Sequence, residues 1–103
     1  MSAAPEPEVL VQRSAMGISR GDFLRVMPSL LAEAEVQLAE VCVTARWPDG
    51  RRLEARLSRE DERRIAALRL PVADVELRFR AAPADWVQAF MQRFDRAFHK
   101  GGG

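Results

Sequence analysis

The chain has 103 residues, of which 48% are hydrophobic and 30% charged, and its formal net charge is +1. That length fits one domain with a single core, and the near-neutral charge gives no general electrostatic reason to bind a nucleic acid or an anionic membrane. The single cysteine excludes an internal disulfide, and no apolar run approaches the ~20 residues that a membrane span requires.

The first third of the chain predicts a tail, a strand and a helix. Residues 1–8 hold two prolines and two glutamates among small residues, which is typical of a disordered tail and not of a secretory signal. Residues 9–12 predict a short edge strand. Ser19 can cap a helix that buries Phe23, and Pro28 should kink or restart that helix.

Two alternating segments then predict a β-hairpin. Residues 41–47 and 52–57 alternate with period two, and Pro48-Asp49-Gly50 between them favours a tight turn. A three-residue loop pairs Trp47 with Arg51 and matches apolar residues across one face. The expected apolar pairs are Ala45 with Leu53, Val43 with Ala55, and Val41 with Leu57.

The next segment is ambiguous between strand and helix. Ser58 followed by acidic residues could cap one helical turn over 58–62, whereas 64–70 alternates like a strand. Residues 74–80 form a clean amphipathic strand. We expect 64–70 to pair with it across a turn at 71–74. The expected pairs are Leu70 with Val75, Leu68 with Leu77, Ala66 with Phe79, and Arg69 with Glu76.

The last segment, 84–100, predicts an amphipathic helix with an aromatic stripe. Seven residues share one arc of its surface: Trp86, Val87, Phe90, Met91, Phe94, Ala97 and Phe98. A stripe of this kind requires an apolar cover. We expect it to pack on the sheet as core, the alternative being a lipid or flat-cofactor site. Residues 101–103 are glycines and predict a flexible end.

The order of these elements predicts the fold class. It is α+β, a two-layer sandwich in which an antiparallel sheet of four to five strands carries two helices on one face, in β-α-β-β-β-β-α order. Residues 9–100 would form this single domain. The bias to arginine over lysine suggests a bacterial source, and a cytoplasmic location is expected by default.

No motif in the sequence indicates catalysis, a cofactor or a metal. Cys42 should point away from the core opposite Arg56 as a small semi-exposed residue, the alternative being a thiol whose pKa the neighbouring arginine lowers. His99 fits a surface residue near a helix C-terminus better than a general base. We therefore expect a non-catalytic protein with no cofactor and no metal site, and an enzyme with an unrecognised site remains the weaker alternative.

The predicted outer face of the sheet carries the strongest functional signal. It holds the candidate partner-binding residues Arg46, Arg52, Arg56, Arg78 and Arg80. Counting Arg69, six arginines face three acids, which gives a net charge of at least +3. Glu54 and Glu76 should neutralise Arg69. Arg46 and Arg52 oppose each other with no assigned acid, unless Asp49 reaches them.

This face supports three functional hypotheses. The first is a small bacterial interaction domain that binds a protein partner or a second copy of itself through the arginine-rich face or a strand edge. The second is a nucleic-acid or anion-binding module that uses the same arginines, although no aromatic side chain accompanies them. The third is a solvated face with no partner.

Overall fold

A five-stranded antiparallel sheet forms one layer of the protein, and two helices cover one face of it. The computed structural model describes residues 8–65 and 68–99; for 59–65, 68, 69 and 99 the description covers the backbone only. In chain order the elements are β1 (Glu8–Met16), α1 (Arg20–Val26), β2 (Glu35–Leu38), β3 (Cys42–Arg46), β4 (Arg52–Ile65), β5 (Leu68–Arg80) and α2 (Ala84–His99). The strand order is β1-β5-β4-β3-β2. The predicted fold class is confirmed.

The first helix begins and changes at Pro28 as its sequence predicts, but it does not continue to residue 34. The Ser19 hydroxyl accepts a hydrogen bond from the backbone N–H of Asp22 at 3.1 Å, which caps α1. The helix ends at Val26, and a 3-10 turn over Met27–Leu30 contains Pro28. Proline lacks the N–H that an α-helix interior needs, so the change of helix type falls where the sequence places it.

The first predicted hairpin is confirmed with its register. Val43 lies opposite Ala55 and Ala45 lies opposite Leu53. The backbone N–H of Trp47 donates to the carbonyl oxygen of Arg51 at 3.0 Å, which closes the predicted loop. The apolar pairs on one face therefore fix the register of β3 and β4.

Gly50 adopts a backbone conformation in this loop that residues with a side chain rarely adopt. Its φ is 100°, and a Cβ added there would meet nothing within 4 Å. The cost of a side chain is therefore conformational and not steric. We expect Gly50→Val to lower the free energy of unfolding by about 1–2 kcal/mol, measured by urea denaturation. Gly17→Val is the matched control, because Gly17 is equally open and its φ lies outside the left-handed region; equal losses in both variants would contradict this explanation.

The second predicted hairpin is wrong in its position. Residues 58–62 are strand, not a helical turn, and β4 continues to Ile65. Val75 therefore lies opposite Leu57 and not Leu70, and the pairs predicted for Leu68 and Arg69 do not form. Ala66 lies outside the described residues, and its predicted partner Phe79 lies opposite Leu53. The apolar residues on the inner face of β4 match those of β5 as well as the predicted partner segment does. Between Ser58 and Asp61 the register shifts, because β4 has one more residue there than β5.

The hairpin of β4 and β5 extends beyond the rest of the sheet. The pairing of β1 with β5 ends at Ala73, and that of β3 with β4 ends at Arg56. Beyond Leu57, whose N–H donates to the carbonyl oxygen of Val41, and beyond Ala73, the two strands pair only with each other among the described residues. Pro71 lies in this two-stranded ribbon, where β5 pairs on one side only, as proline in a strand requires.

One strand was not predicted, and the bounds of another differ from the prediction. The unpredicted strand is β2, because Glu35–Leu38 follows directly on a helical pattern. β1 already includes Glu8, one residue inside the predicted tail, and it runs past residue 12 to Met16. The rest of the predicted tail, the predicted last helical residue at position 100 and the glycines 101–103 lie outside the described residues.

The core lies between the inner face of the sheet and the two helices. The rings of Phe79 and Phe90 meet edge to face at 5.5 Å, and those of Phe94 and Phe98 lie 4.7 Å apart. The aromatic stripe is buried except for the half-buried Trp86 and Ala97, so the prediction that it packs as core is confirmed. Its side chains are shielded from water by β5 and α1.

Candidate interaction face

The outer face of the sheet aligns three arginines across its central strands. In an antiparallel sheet, directly opposite residues project from the same face. Arg46 lies opposite Arg52, and Arg52 lies opposite Arg80. We call Arg46, Arg52 and Arg80 the arginine row. Glu35 lies opposite Arg46 on β2 and Glu8 lies opposite Arg80 on β1, so a glutamate stands at each end of the row.

Two further rows follow along the strands. The second is Leu10, Arg78, Glu54, Thr44 and Gln37, and the third is Gln12, Glu76, Arg56 and Cys42. Of the five predicted partner-binding residues, the structure thus places three in one row. Arg78 lies one row away. Arg56 is four residues along β4 from Arg52, about 13 Å at the rise of a strand.

Carboxylates neutralise the arginines on the β1 side of the face. The guanidinium of Arg80 lies 3.1 Å from Glu8, and that of Arg78 lies 3.1 Å from Glu76 and 3.9 Å from Glu8. A hydrogen bond from Arg78 is the largest cause that lowers the pKa of Glu76, and one from Gln12 is the next. The hydrogen bond between Arg78 and Glu76 also raises the pKa of Arg78. These exposed pairs orient side chains more than they stabilise the fold.

On the β3 side the arginine row is less well neutralised. Within 8–65 and 68–99, none of the ion pairs includes Arg46 or Arg52. Asp49 does not form the alternative ion pair with Arg46 or Arg52, because its carboxylate lies 2.8 Å from the guanidinium of Arg51 instead. A shallow depression of about 540 Å³ lies over this part of the face, lined by Thr44, Ala45, Arg46, Arg52, Leu53, Glu54, Arg78 and Arg80.

The net charge predicted for this face is wrong. Arg69 pairs with Arg64 in the ribbon and not with Glu76, and Glu54 lies opposite Arg78 and Thr44. The described part of the outer face has five arginines, namely Arg46, Arg52, Arg56, Arg78 and Arg80. It has as many carboxylates, namely Glu8, Glu35, Glu54, Asp74 and Glu76. It therefore has no net charge, and three of its five arginines lie in the arginine row.

Sequence reasoning missed the residues that β1 and β2 bring to this face. Glu8 and Leu10 reach it because β1 pairs with β5, a strand far along the chain. Glu35 reaches it through β2. The sequence does hold a signal for β2, since Glu35-Val36-Gln37-Leu38 alternates polar and apolar residues like a strand.

Cys42 lies where the sequence predicts, on the outer face of the sheet. It is half-buried and opposite Arg56. Burial raises the pKa of its thiol, the negative charge of Glu54 raises it further, and Arg56 only partly offsets them. A raised thiol pKa reduces the thiolate fraction at neutral pH, which argues against the alternative of a thiol activated by arginine.

A second depression lies where the β3–β4 loop meets α2. The Arg51 guanidinium lies 4.7 Å from the ring centre of Trp86 and 5.3 Å from that of Trp47. Its Nε also contacts the Asp49 carboxylate. The depression encloses about 400 Å³. The guanidinium of Arg51 thus already contacts two aromatic rings and a carboxylate. These mutual contacts indicate a structural cluster.

Other classes of site lack support in the described ranges. No group of three or more His, Cys, Asp or Glu side chains there is arranged to hold a metal ion. No helix in that part of the chain is long and apolar enough to span a membrane. The side chain of His99 lies outside the description. Comparisons with protein-family models, curated proteins and solved structures find no match to this chain.

Proposed function

We propose that this chain is a non-catalytic interaction domain whose arginine row binds an acidic segment of a protein partner. The observation that carries the proposal is the alignment of Arg46, Arg52 and Arg80 on adjacent strands. Like charges directly opposite each other in a sheet are unfavourable. An arriving carboxylate would remove that repulsion and occupy the guanidinium forks.

A protein segment fits this row better than a nucleic acid does. Glu8 and Glu35 stand at its two ends, and the described outer face as a whole has no net charge. A phosphate backbone laid along the row would meet a carboxylate at either edge, whereas a short acidic segment fits between them. The described outer face also offers no aromatic side chain on which bases could stack.

The test uses charge reversal at the two arginines of the arginine row that are outside the described ion pairs. Both Arg46 and Arg52 are exposed, so Arg46→Glu/Arg52→Glu should leave the melting temperature nearly unchanged. The probe is a fluorescein-labelled glutamate-rich peptide, followed by fluorescence anisotropy against a glutamine-rich peptide of the same length. We expect wild-type protein to prefer the acidic peptide and the double variant to bind it at least about tenfold more weakly.

Two controls make the result specific. Arg20→Glu/Arg96→Glu makes the same charge change at exposed positions of the helical layer and should leave peptide binding intact. A labelled single-stranded oligonucleotide tests the second hypothesis. Tighter binding of the oligonucleotide, with affinity falling steeply with salt, would replace this proposal by nucleic-acid binding. Equal peptide affinity in wild type and the double variant would reject the arginine row.

A further inference from the structure

The outer edge of β1 is open and apolar. β1 ends the sheet, and no strand among the described residues pairs with its outer side. Leu10, in the regularly paired part of β1, is 49% exposed although it belongs to a sheet face made mainly of charged residues. Val9 and Val11 are only partly buried at the margin of the core. An edge with these side chains is prone to pair with another strand.

The hydrogen bonds of the hairpin show which backbone groups of β1 face outward. The hydrogen bonds from Trp47 N–H to Arg51 and from Leu57 N–H to Val41 direct the odd-numbered residues of β3 and β4 toward each other. Successive residues in a strand direct their N–H and C=O to alternate sides. We follow this alternation through the registers of β4 and β5. The N–H and C=O groups of Val9 and Val11 then point toward β5. Alternate residues of β1, including Leu10, therefore offer their N–H and C=O to the open edge.

The sequence of this edge is complementary to itself. A two-fold axis at Leu10 sets that leucine opposite Leu10 of a second copy, in a hydrogen-bonded antiparallel pair. On the same face, Glu8 then lies opposite Gln12 and can accept hydrogen bonds from its amide. On the other face, Val9 lies opposite Val11. Each apolar residue meets an apolar one, and no like charges are paired.

The neighbouring register is poorer. A two-fold axis at Val11 would set Leu10 opposite Gln12 and Val9 opposite Arg13. The guanidinium of Arg13 is already held by two hydrogen bonds of 2.9 Å to Asp95 of α2. Matching of apolar residues therefore favours the axis at Leu10.

The opposite edge of the sheet does not offer the same surface. β2 has four residues against nine in β1, which limits the ladder that it can form. Between Glu8 and Arg13, β1 has no proline, glycine or lysine that would block pairing. Regular pairing ends beyond Arg13, where the register shifts and Ala15 has a φ of 54°.

From these features we infer that two copies of this chain associate edge to edge through β1, with Leu10 opposite Leu10, to form a continuous antiparallel sheet. The occupant of the edge is a second copy because the register is symmetric and satisfies both chains equally. The ladder is short, which is typical of weak or transient association. This inference does not rest on the proposed binding by the arginine row.

Cysteine cross-linking tests the register. In a Cys42→Ser background, Leu10→Cys places two cysteines directly opposite each other, with Cα atoms about 5.5 Å apart. Gln12→Cys is the matched control, because the two copies of residue 12 would lie about 13 Å apart. On oxidation we expect a cross-linked dimer from Leu10→Cys and little from Gln12→Cys. Preferential cross-linking of Gln12→Cys, or none in either variant, would overturn the inferred pairing.

Sedimentation equilibrium tests the edge without a cross-link. The mass of wild-type protein should rise toward that of a dimer with concentration, and Leu10→Lys should keep it monomeric. Leu38→Lys is the control, since Leu38 is 54% exposed on the opposite edge strand. A monomeric wild type, or a dimer lost only in Leu38→Lys, would contradict the inference. Arg46→Glu/Arg52→Glu should leave the mass unchanged, which separates this result from the fate of the arginine row.

Discussion

Phe94→Ala should lower the free energy of unfolding by about 3–5 kcal/mol. The Phe94 side chain is fully buried, and its ring lies 4.7 Å from that of Phe98 in the centre of the stripe on α2. Its removal leaves a cavity that helix and sheet, both tied by backbone hydrogen bonds, can only partly close. Because a domain of this size has a total stability of about 5–15 kcal/mol, the variant should be only marginally folded.

Thermal denaturation followed by circular dichroism measures this loss. A decrease of at least about 12 °C in melting temperature is expected for a chain of this length. Gln92→Ala is the control, because Gln92 lies exposed on the same helix and its truncation should change stability by less than about 0.5 kcal/mol. Similar melting temperatures for the two variants would show that the stripe does not carry the core.

Trp47→Ala should cost a similar amount, about 3–5 kcal/mol. Trp47 is buried, its ring meets that of Trp86 edge to face at 5.1 Å, and its Nε1–H donates to the carbonyl oxygen of Ala32 at 3.1 Å. The residue therefore joins the β3–β4 loop to α2 and to the segment before β2. Its truncation removes apolar contacts, an aromatic pair and a hydrogen bond at once.

A second substitution at this position separates these contributions. Trp47→Phe keeps most of the apolar contact and loses the hydrogen bond to Ala32, so we expect a smaller loss of about 1–3 kcal/mol in urea denaturation. Asp49→Ala removes an exposed ion pair with Arg51 and an exposed hydrogen bond of 3.2 Å from the Arg51 backbone N–H, and it should cost about 1 kcal/mol or less. A loss in Trp47→Ala no larger than that in Asp49→Ala would contradict the role given to this cluster.

The first hairpin was predictable because two independent signals agree there. The turn residues Pro48-Asp49-Gly50 favour a three-residue loop, and only that loop length matches the apolar residues of both strands. The second hairpin offered no such agreement. The alternating residues of β5 match those of β4 as well as they match residues 64–70, and no strong turn residue marks position 66 or 67. Alternation alone defines a face but not a partner strand.

The candidate site was predictable to the extent that it depends on the first hairpin. The pairing of Arg46 with Arg52 followed from that register and is confirmed. The addition of Arg80 depended on which strand lies beside β4, which local sequence does not specify. The glutamates at the ends of the arginine row depended on strand order across the whole sheet, because β1 and β2 occupy opposite edges.

The position of β1 has a consequence for how the chain folds. From β2 to β5, strands that are consecutive in sequence are neighbours in the sheet. That part of the sheet can therefore form from local contacts. β1 is made first, yet its partner residues come late, with 64 residues separating Gln12 from Glu76. During synthesis, β1 therefore waits while most of the domain emerges from the ribosome. Until β1 docks, the side of β5 that it covers stays unpaired, and an unpaired strand edge is a site where a strand of another chain can pair.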